Sequence, residues 1–249
     1  FVNMQALAFG LGDETKARRI YDWMETGLTS SGKADTYSRW VFAPRASTFH
    51  NPPVSAAQEP LPSWWFWGWP GTPFEAQCQD GGAILYTSYD DVMARLRYFS
   101  PDNAWERFTT IVDRYAEPDH LSGGAPLFRG EDPQGGPGGH AGSVGVEGEF
   151  PESGIVPCLW LYGFVGVQPT VEGLKIRPKL PRALEWAGVR GIAYAGGTLN
   201  LEVTPELLTY SFLRGDTKRE EVVQIPRGQA CLLKPDGSFE LVSAFDNWP

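Results

Sequence analysis
The chain has 249 residues, enough for one large domain or two small ones with ample core. A net charge of −9 argues against nucleic acid or an anionic membrane as partner, and 42% hydrophobic residues argue against general disorder despite 29 glycines and 21 prolines. Three widely spaced cysteines, Cys78, Cys158 and Cys231, show neither a disulfide framework nor metal-ligand spacing.

The opening FVNMQALAFGLG already lies inside a helical pattern, with no initiator Met and no signal-peptide features. The expectation is a chain whose true beginning lies upstream, so the sequence assigns no compartment. No apolar run reaches the length of a membrane span. Phe1, Met4, Leu7, Ala8 and Leu11 share one helical face, Gly10-Leu11-Gly12 ends that helix, and Asp13 caps a second one carrying Ala17, Ile20, Tyr21, Met24 and Leu28. The two make an αα-hairpin.

A long aperiodic region follows, roughly residues 29–79, ending in PSWWFWGWPGTP. Loops of this length are usually functional or disordered, and the indoles of Trp64, Trp65, Trp67 and Trp69 argue for order, because leaving them in water is costly. A cleft lining is preferred over a membrane-interface or self-association patch. Ten tryptophans in one chain suit a protein that stacks flat sugar faces.

QDGGAILYTSYDDVMARLRYF opens a third helix, with Leu85, Tyr89, Val92, Met93 and Leu96 on its apolar face and Asp91–Arg95 as an outer i, i+4 pair. Asp80 reads equally as an N-cap or as a polar contact to ligand beside Gly81-Gly82. Ser100-Pro101 starts a fourth helix, whose buried face is Ala104, Trp105, Phe108, Ile111, Val112 and Tyr115. A fifth, about residues 155–165, is apolar nearly all round and so is expected to be buried on all sides; Cys158 within it reads as core.

Between the fourth and fifth helices lies a span from Gly130 to Gly148 with eight glycines in nineteen residues, flanked by Glu131-Asp132 and by Glu147, Glu149 and Glu152. Glycine lets backbone approach a ligand closely, and acids at both ends of such a loop suit a carbohydrate-hydrolysing site. A solvated surface loop is the plain alternative. His120 and His140 are isolated, so no metal is expected, and sugar contact or exposure is the better reading of His140. No nucleotide fingerprint or Ser-His-Asp arrangement is visible, and no cofactor is expected.

From Thr170 the texture changes to short strands. Leu174 and Ile176, then Leu199, Leu201 and Val203, then Leu208, Tyr210 and Phe212 alternate with polar residues. Val222-Val223 and residues 230–233 follow, and Lys234-Pro235-Asp236-Gly237 is a turn before Phe239 and Leu241. The class is α + β in two modules: residues 1–169 helical and residues 170–249 an antiparallel β-sandwich.

Three passages resemble the six-hairpin glycosidases, a group that includes glucoamylases, trehalases, rhamnosidases and inverting disaccharide phosphorylases. They are QDGGAILYTSYDDVMARL, SPDNAWERFTTI, and GEFPESGIVPCLWLYGFVGVQPTVEGLKIRPKLPRALEWAGVRGIAYAGGTLNLEV, of which GLKIRPKLP is the most specific. The resemblance covers about residues 75–205 and implies the last hairpins of an (α/α)6 toroid followed by a β-sandwich. It also implies that the rest of the barrel, with the general acid, precedes Phe1 or is supplied by another subunit. Asp80 stands where this group usually has Asn.

What the resemblance implies for chemistry is an inverting glycoside hydrolase on a small glycoside or oligosaccharide. One carboxylic acid protonates the leaving oxygen and one carboxylate activates water from the opposite face. Glu131 occupies the place of the base, and Glu149 is the second candidate, as base or as acceptor of a sugar hydroxyl. Asp80, Glu147, His140, Trp64, Trp67 and Trp69 are the expected substrate contacts. A phosphorylase of the same architecture and a non-catalytic carbohydrate-binding fragment are the alternatives.

Overall fold
A computed structural model describes residues 2–26, 43–44, 83–84, 87–116 and 154–244. The class is α + β: a few helices and two antiparallel sheets of four strands each. The chain divides into two compact units, one formed by residues 1–7, 11–91 and 107–156, the other by residues 8–10, 92–106 and 157–249.

Helix α1 (Val2–Ala8) closes with the Leu11 amide donating to the Ala6 carbonyl at 2.9 Å. Asp13 caps α2 (Glu14–Thr26), its Oδ1 accepting from the Lys16 amide at 2.8 Å. Met4, Leu7, Ala17 and Tyr21 are buried as their spacing predicts, whereas Leu11 lies beyond the helix and is exposed. Two short strands, β1 (Ala43–Pro44) and β2 (Ala83–Ile84), pair antiparallel. The third helix, α3 (Thr87–Tyr98), therefore starts later than the sequence pattern suggests, and α4 (Pro101–Ala116) follows after Ser100, whose Oγ accepts from the Asn103 amide at 3.1 Å.

One element departs from its expected form. The apolar stretch after Gly154 is not a regular α-helix: a single 3₁₀ turn leads through Pro157 into a π-helix, Trp160–Phe164, in which the Val165 amide donates to the Trp160 carbonyl at 2.9 Å. Proline removes a donor and the wider turn redistributes the remaining bonds. Leu159, Phe164 and Val165 are buried, but Ile155 is 40% exposed. Cys158 is only partly buried, while Cys231 lies in the core. Gly166 then turns the chain from helix to strand. Its φ is +76°, and a Cβ there would collide with the Arg177 carbonyl, so only glycine fits.

The sheets are β10-β9-β4-β3 and β5-β6-β7-β8, built from β3 (Val167–Pro169), β4 (Leu174–Ile176), β5 (Ala187–Tyr194), β6 (Gly197–Val203), β7 (Leu207–Arg214), β8 (Thr217–Gln224), β9 (Gln229–Leu233) and β10 (Phe239–Ser243). Ile176, Cys231 and Leu233 of the first sheet and Leu199, Leu201, Leu208, Tyr210 and Phe212 of the second belong to one buried cluster. Two phenols tie it off: Tyr194 donates to the Leu233 carbonyl at 2.7 Å, and Tyr210 to the Gly237 carbonyl at 2.9 Å. Strand β5, which has no clear alternation in the sequence, is an edge strand whose register shifts between Val189 and Ile192. The other edge of that sheet is β8, which carries Lys218, Arg219, Glu220 and Glu221 in succession.

Candidate functional site
Every residue nominated from the sequence as a site residue — Glu131, Glu149, Asp80, Trp64, Trp67, Trp69, Glu147 and His140 — lies outside the described residues. Three other groupings of polar side chains stand within them.

The first is the opening turn of α3, where Thr87, Ser88, Asp90 and Asp91 are all buried. Asp91 corrects one expectation: it does not form an outer pair with Arg95. Its side chain is fully buried, and its two oxygens take the Tyr21 hydroxyl of α2 at 2.8 Å and the Arg107 Nε of α4 at 2.8 Å. Arg95 is buried too and donates from Nη1 to Asn103 Oδ1 at 2.8 Å. Ser88 Oγ is buried with no hydrogen-bond partner among the described residues. Burial pushes the Asp90 carboxyl up to about 6, because a carboxylate is poorly solvated there. The run Thr-Ser-Tyr-Asp-Asp reads in sequence as an ordinary helix start, because Ser, Thr and Asp are favoured there, so it gave no signal of this burial.

The Asp90 shift has a sign. In the unfolded chain its carboxyl titrates near 3.8, in the native state near 6, so between those values the native state binds more protons. Stability contributed by the neutral acid is present below the unfolded value and is lost as pH rises through about 6. Asp90→Asn, which cannot ionise, is expected to gain about 1–3 kcal/mol over the parent between pH 4 and pH 7. Urea midpoints at those two values check it; an unchanged difference at both would show that Asp90 ionises freely in the fold.

The second grouping is cationic. The Arg177 amide donates to the Gly166 carbonyl and the Lys179 amide to the Phe164 carbonyl, each at 2.9 Å, which sets both residues beside the π-helix. Gly163 packs against Leu96 of α3, the neighbour of Arg97. Burial, with Arg177 and Arg97 nearby, brings the Lys179 ammonium down to about 7. Arg97 Nη1 is buried without a hydrogen-bond partner among the described residues, and the guanidinium lies against Gly10, where a Cβ would collide with it.

The third is an open groove of about 590 Å³ on the β5–β8 sheet, lined by Arg190, Asn200, Glu202, Thr209, Ser211 and Glu220 among others. Asn200 is fixed in place: its Oδ1 accepts from the Gly191 amide at 2.9 Å and its Nδ2 donates to Ser211 Oγ at 3.3 Å. Glu220 pairs with Lys218 at 2.6 Å.

Among the described residues no group of His, Cys, Asp and Glu is gathered to hold a metal ion, and no helix is long and apolar enough to cross a membrane. Comparison with protein-family models, with curated proteins and with solved structures finds no match for this chain.

Proposed function
We propose that the chain is part of an inverting glycoside hydrolase acting on a small glycoside or oligosaccharide. In this reading the helices are the last hairpins of an (α/α)6 toroid and the two sheets are a β-sandwich. Glu131 is the general base, ionised near neutral pH and holding a water against the anomeric carbon. Glu149 serves as a second carboxylate at the same glycine-rich loop, accepting a sugar hydroxyl. Asp80, Glu147 and His140 supply further polar contacts, and Trp64, Trp67 and Trp69 wall the cleft. The leaving-group acid is assigned to none of these.

What supports the reading is chain order. Helical pairs give way, at Gly166, to two four-stranded antiparallel sheets, and the passage GLKIRPKLP that carries the most specific resemblance runs through β4. Lys175 and Ile176 of that passage are buried in β4, an inner strand of the first sheet.

The test is Glu131→Gln in protein that turns over an aryl glycoside. Loss of the base is expected to lower kcat by about 10²–10⁴-fold with little change in melting temperature. Turnover surviving nearly intact would overturn the assignment. Activity that requires inorganic phosphate and survives the substitution would point instead to a phosphorylase.

A further inference from the structure
We propose that the outward face of the β5–β8 sheet is a second carbohydrate-binding surface, taking a neutral oligosaccharide in the groove between Arg190 and Glu220. The proposal stands apart from the reading of Glu131 and survives its failure.

Strand alternation makes the face. Leu199, Leu201 and Val203 of β6 and Leu208, Tyr210 and Phe212 of β7 turn inward and are buried. Asn200 and Glu202, then Thr209 and Ser211, therefore point the other way, and the register places them side by side: Asn200 opposite Ser211, Glu202 opposite Thr209. Glu220 of β8 is paired with Ser211, and Gly188 of β5 with Glu202. Four strands thus bring an amide, two hydroxyls, two carboxylates and the Arg190 guanidinium to one groove of about 590 Å³, within the range of small-molecule sites.

The chemistry of the lining selects the ligand. The side chains of Arg190, Glu202 and Thr209 make no hydrogen bond or ion pair with another described residue, so their polar atoms are free to take a ligand. Carboxylates accept from hydroxyls, the guanidinium donates to ring and hydroxyl oxygens, and a threonine hydroxyl does either. Neighbouring hydroxyls of a pyranose offer this mixture of donors and acceptors. The two carboxylates, Glu202 and Glu220, outnumber Arg190 in the lining, which disfavours phosphates, sulfates and uronic acids.

An aromatic platform stands beside the groove. Trp186, immediately before β5, is 59% exposed. Its ring passes 3.5 Å from the position a Cβ would take on Gly188, the residue paired with Glu202. An indole left in water at the rim of a polar groove offers its face to the C–H side of a sugar ring, while the hydroxyls at the ring's edge reach the polar strands. Glycine at 188 leaves the approach from Trp186 to Glu202 clear of any side chain.

The test uses the full chain and four neutral hexasaccharides, cellohexaose, maltohexaose, xylohexaose and mannohexaose, titrated calorimetrically to millimolar concentration. At least one is expected to bind. Trp186→Ala is expected to weaken it about 10-fold or more, as is Glu202→Gln combined with Thr209→Ala, each with an unchanged melting temperature. Glu131→Gln is expected to leave this binding intact, which separates the groove from the cleft. If none of the four binds, or if binding persists undiminished in both groove variants, the proposal is overturned. Binding lost only in Glu131→Gln overturns it as well.

Discussion

Asp91→Ala is expected to cost about 3–5 kcal/mol of stability, because it removes a fully buried carboxylate from the nearly buried Arg107 guanidinium. The Arg107 side chain is 9% exposed and donates its Nε–H to Asp91 at 2.8 Å. A guanidinium cannot escape by losing its proton, so removing the carboxylate takes a close counter-charge from a cation that stays charged. Tyr21 is less affected, since its hydroxyl also lies 2.9 Å from the Asp91 main-chain carbonyl, which the substitution spares. Asp91→Asn keeps the shape but loses the charge that Arg107 faces, and is expected to lose about half as much or more. The joint replacement Asp91→Leu with Arg107→Met, which removes both charges, is expected to recover most of the loss. Guanidinium melts of the four proteins check the pattern. A loss below about 1 kcal/mol for Asp91→Ala would overturn the assignment of a strong buried pair.

Phe164→Ala is the second large effect, at about 3–5 kcal/mol. The ring is fully buried at the end of the π-helix, edge-on to Trp105 with centroids 5.2 Å apart and planes at 88°, and 6.4 Å from the centroid of Trp160. Truncation opens a cavity between Trp105 of α4 and Trp160, and forfeits an aromatic pair worth about 0.5–1.5 kcal/mol beyond burial. Trp160 is pinned independently, its Nε1 donating to the Gly188 carbonyl at 3.1 Å, so it cannot swing in to fill the space. Phe164→Leu, which keeps most of the volume, is expected to cost about 1–2 kcal/mol. Denaturant midpoints for the two variants, with near-ultraviolet circular dichroism to follow the indoles, provide the measurement. Equal, small losses for alanine and leucine would show that the site collapses freely.

The second half of the fold was legible where one physical rule acted alone. In β6 and β7 a single buried face imposes a period of two, and Leu199 to Val203 and Leu208 to Phe212 obey it residue by residue. The Lys234–Gly237 turn was equally plain, with the Gly237 amide donating to the Lys234 carbonyl at 2.9 Å. Strand β5 escaped notice because Gly188 and Gly191 interrupt its pattern and its register shifts. A helical wheel cannot tell an α-turn from a π-turn, so the stretch after Gly154 looked more regular than it is. Asp91 was misplaced because spacing along one helix sees Arg95 but not Tyr21, 70 residues away, or Arg107 on the next helix.

The candidate site divides in the same way. Glu131 and its neighbours are nominated by a local run of acids and glycines beside an apolar stretch, a pattern that sequence displays directly. The groove on the β5–β8 sheet is assembled from single polar residues on four strands, each of which reads in sequence as an ordinary solvent-facing position. Only pairing across strands brings them together, and pairing is not written in any one segment.

The two borders of that sheet carry a further consequence. A bare strand edge is a template on which a second chain can add its own strand. Here one border presents Lys218 to Glu221, whose charges a docking strand would have to match, and the other bends at the Val189–Ile192 irregularity beside Gly191. Neither offers a straight, uncharged rail. Cross-chain β-addition, the ordinary route from a crowded folding solution to an insoluble deposit, is thereby discouraged at the very sheet that carries the groove.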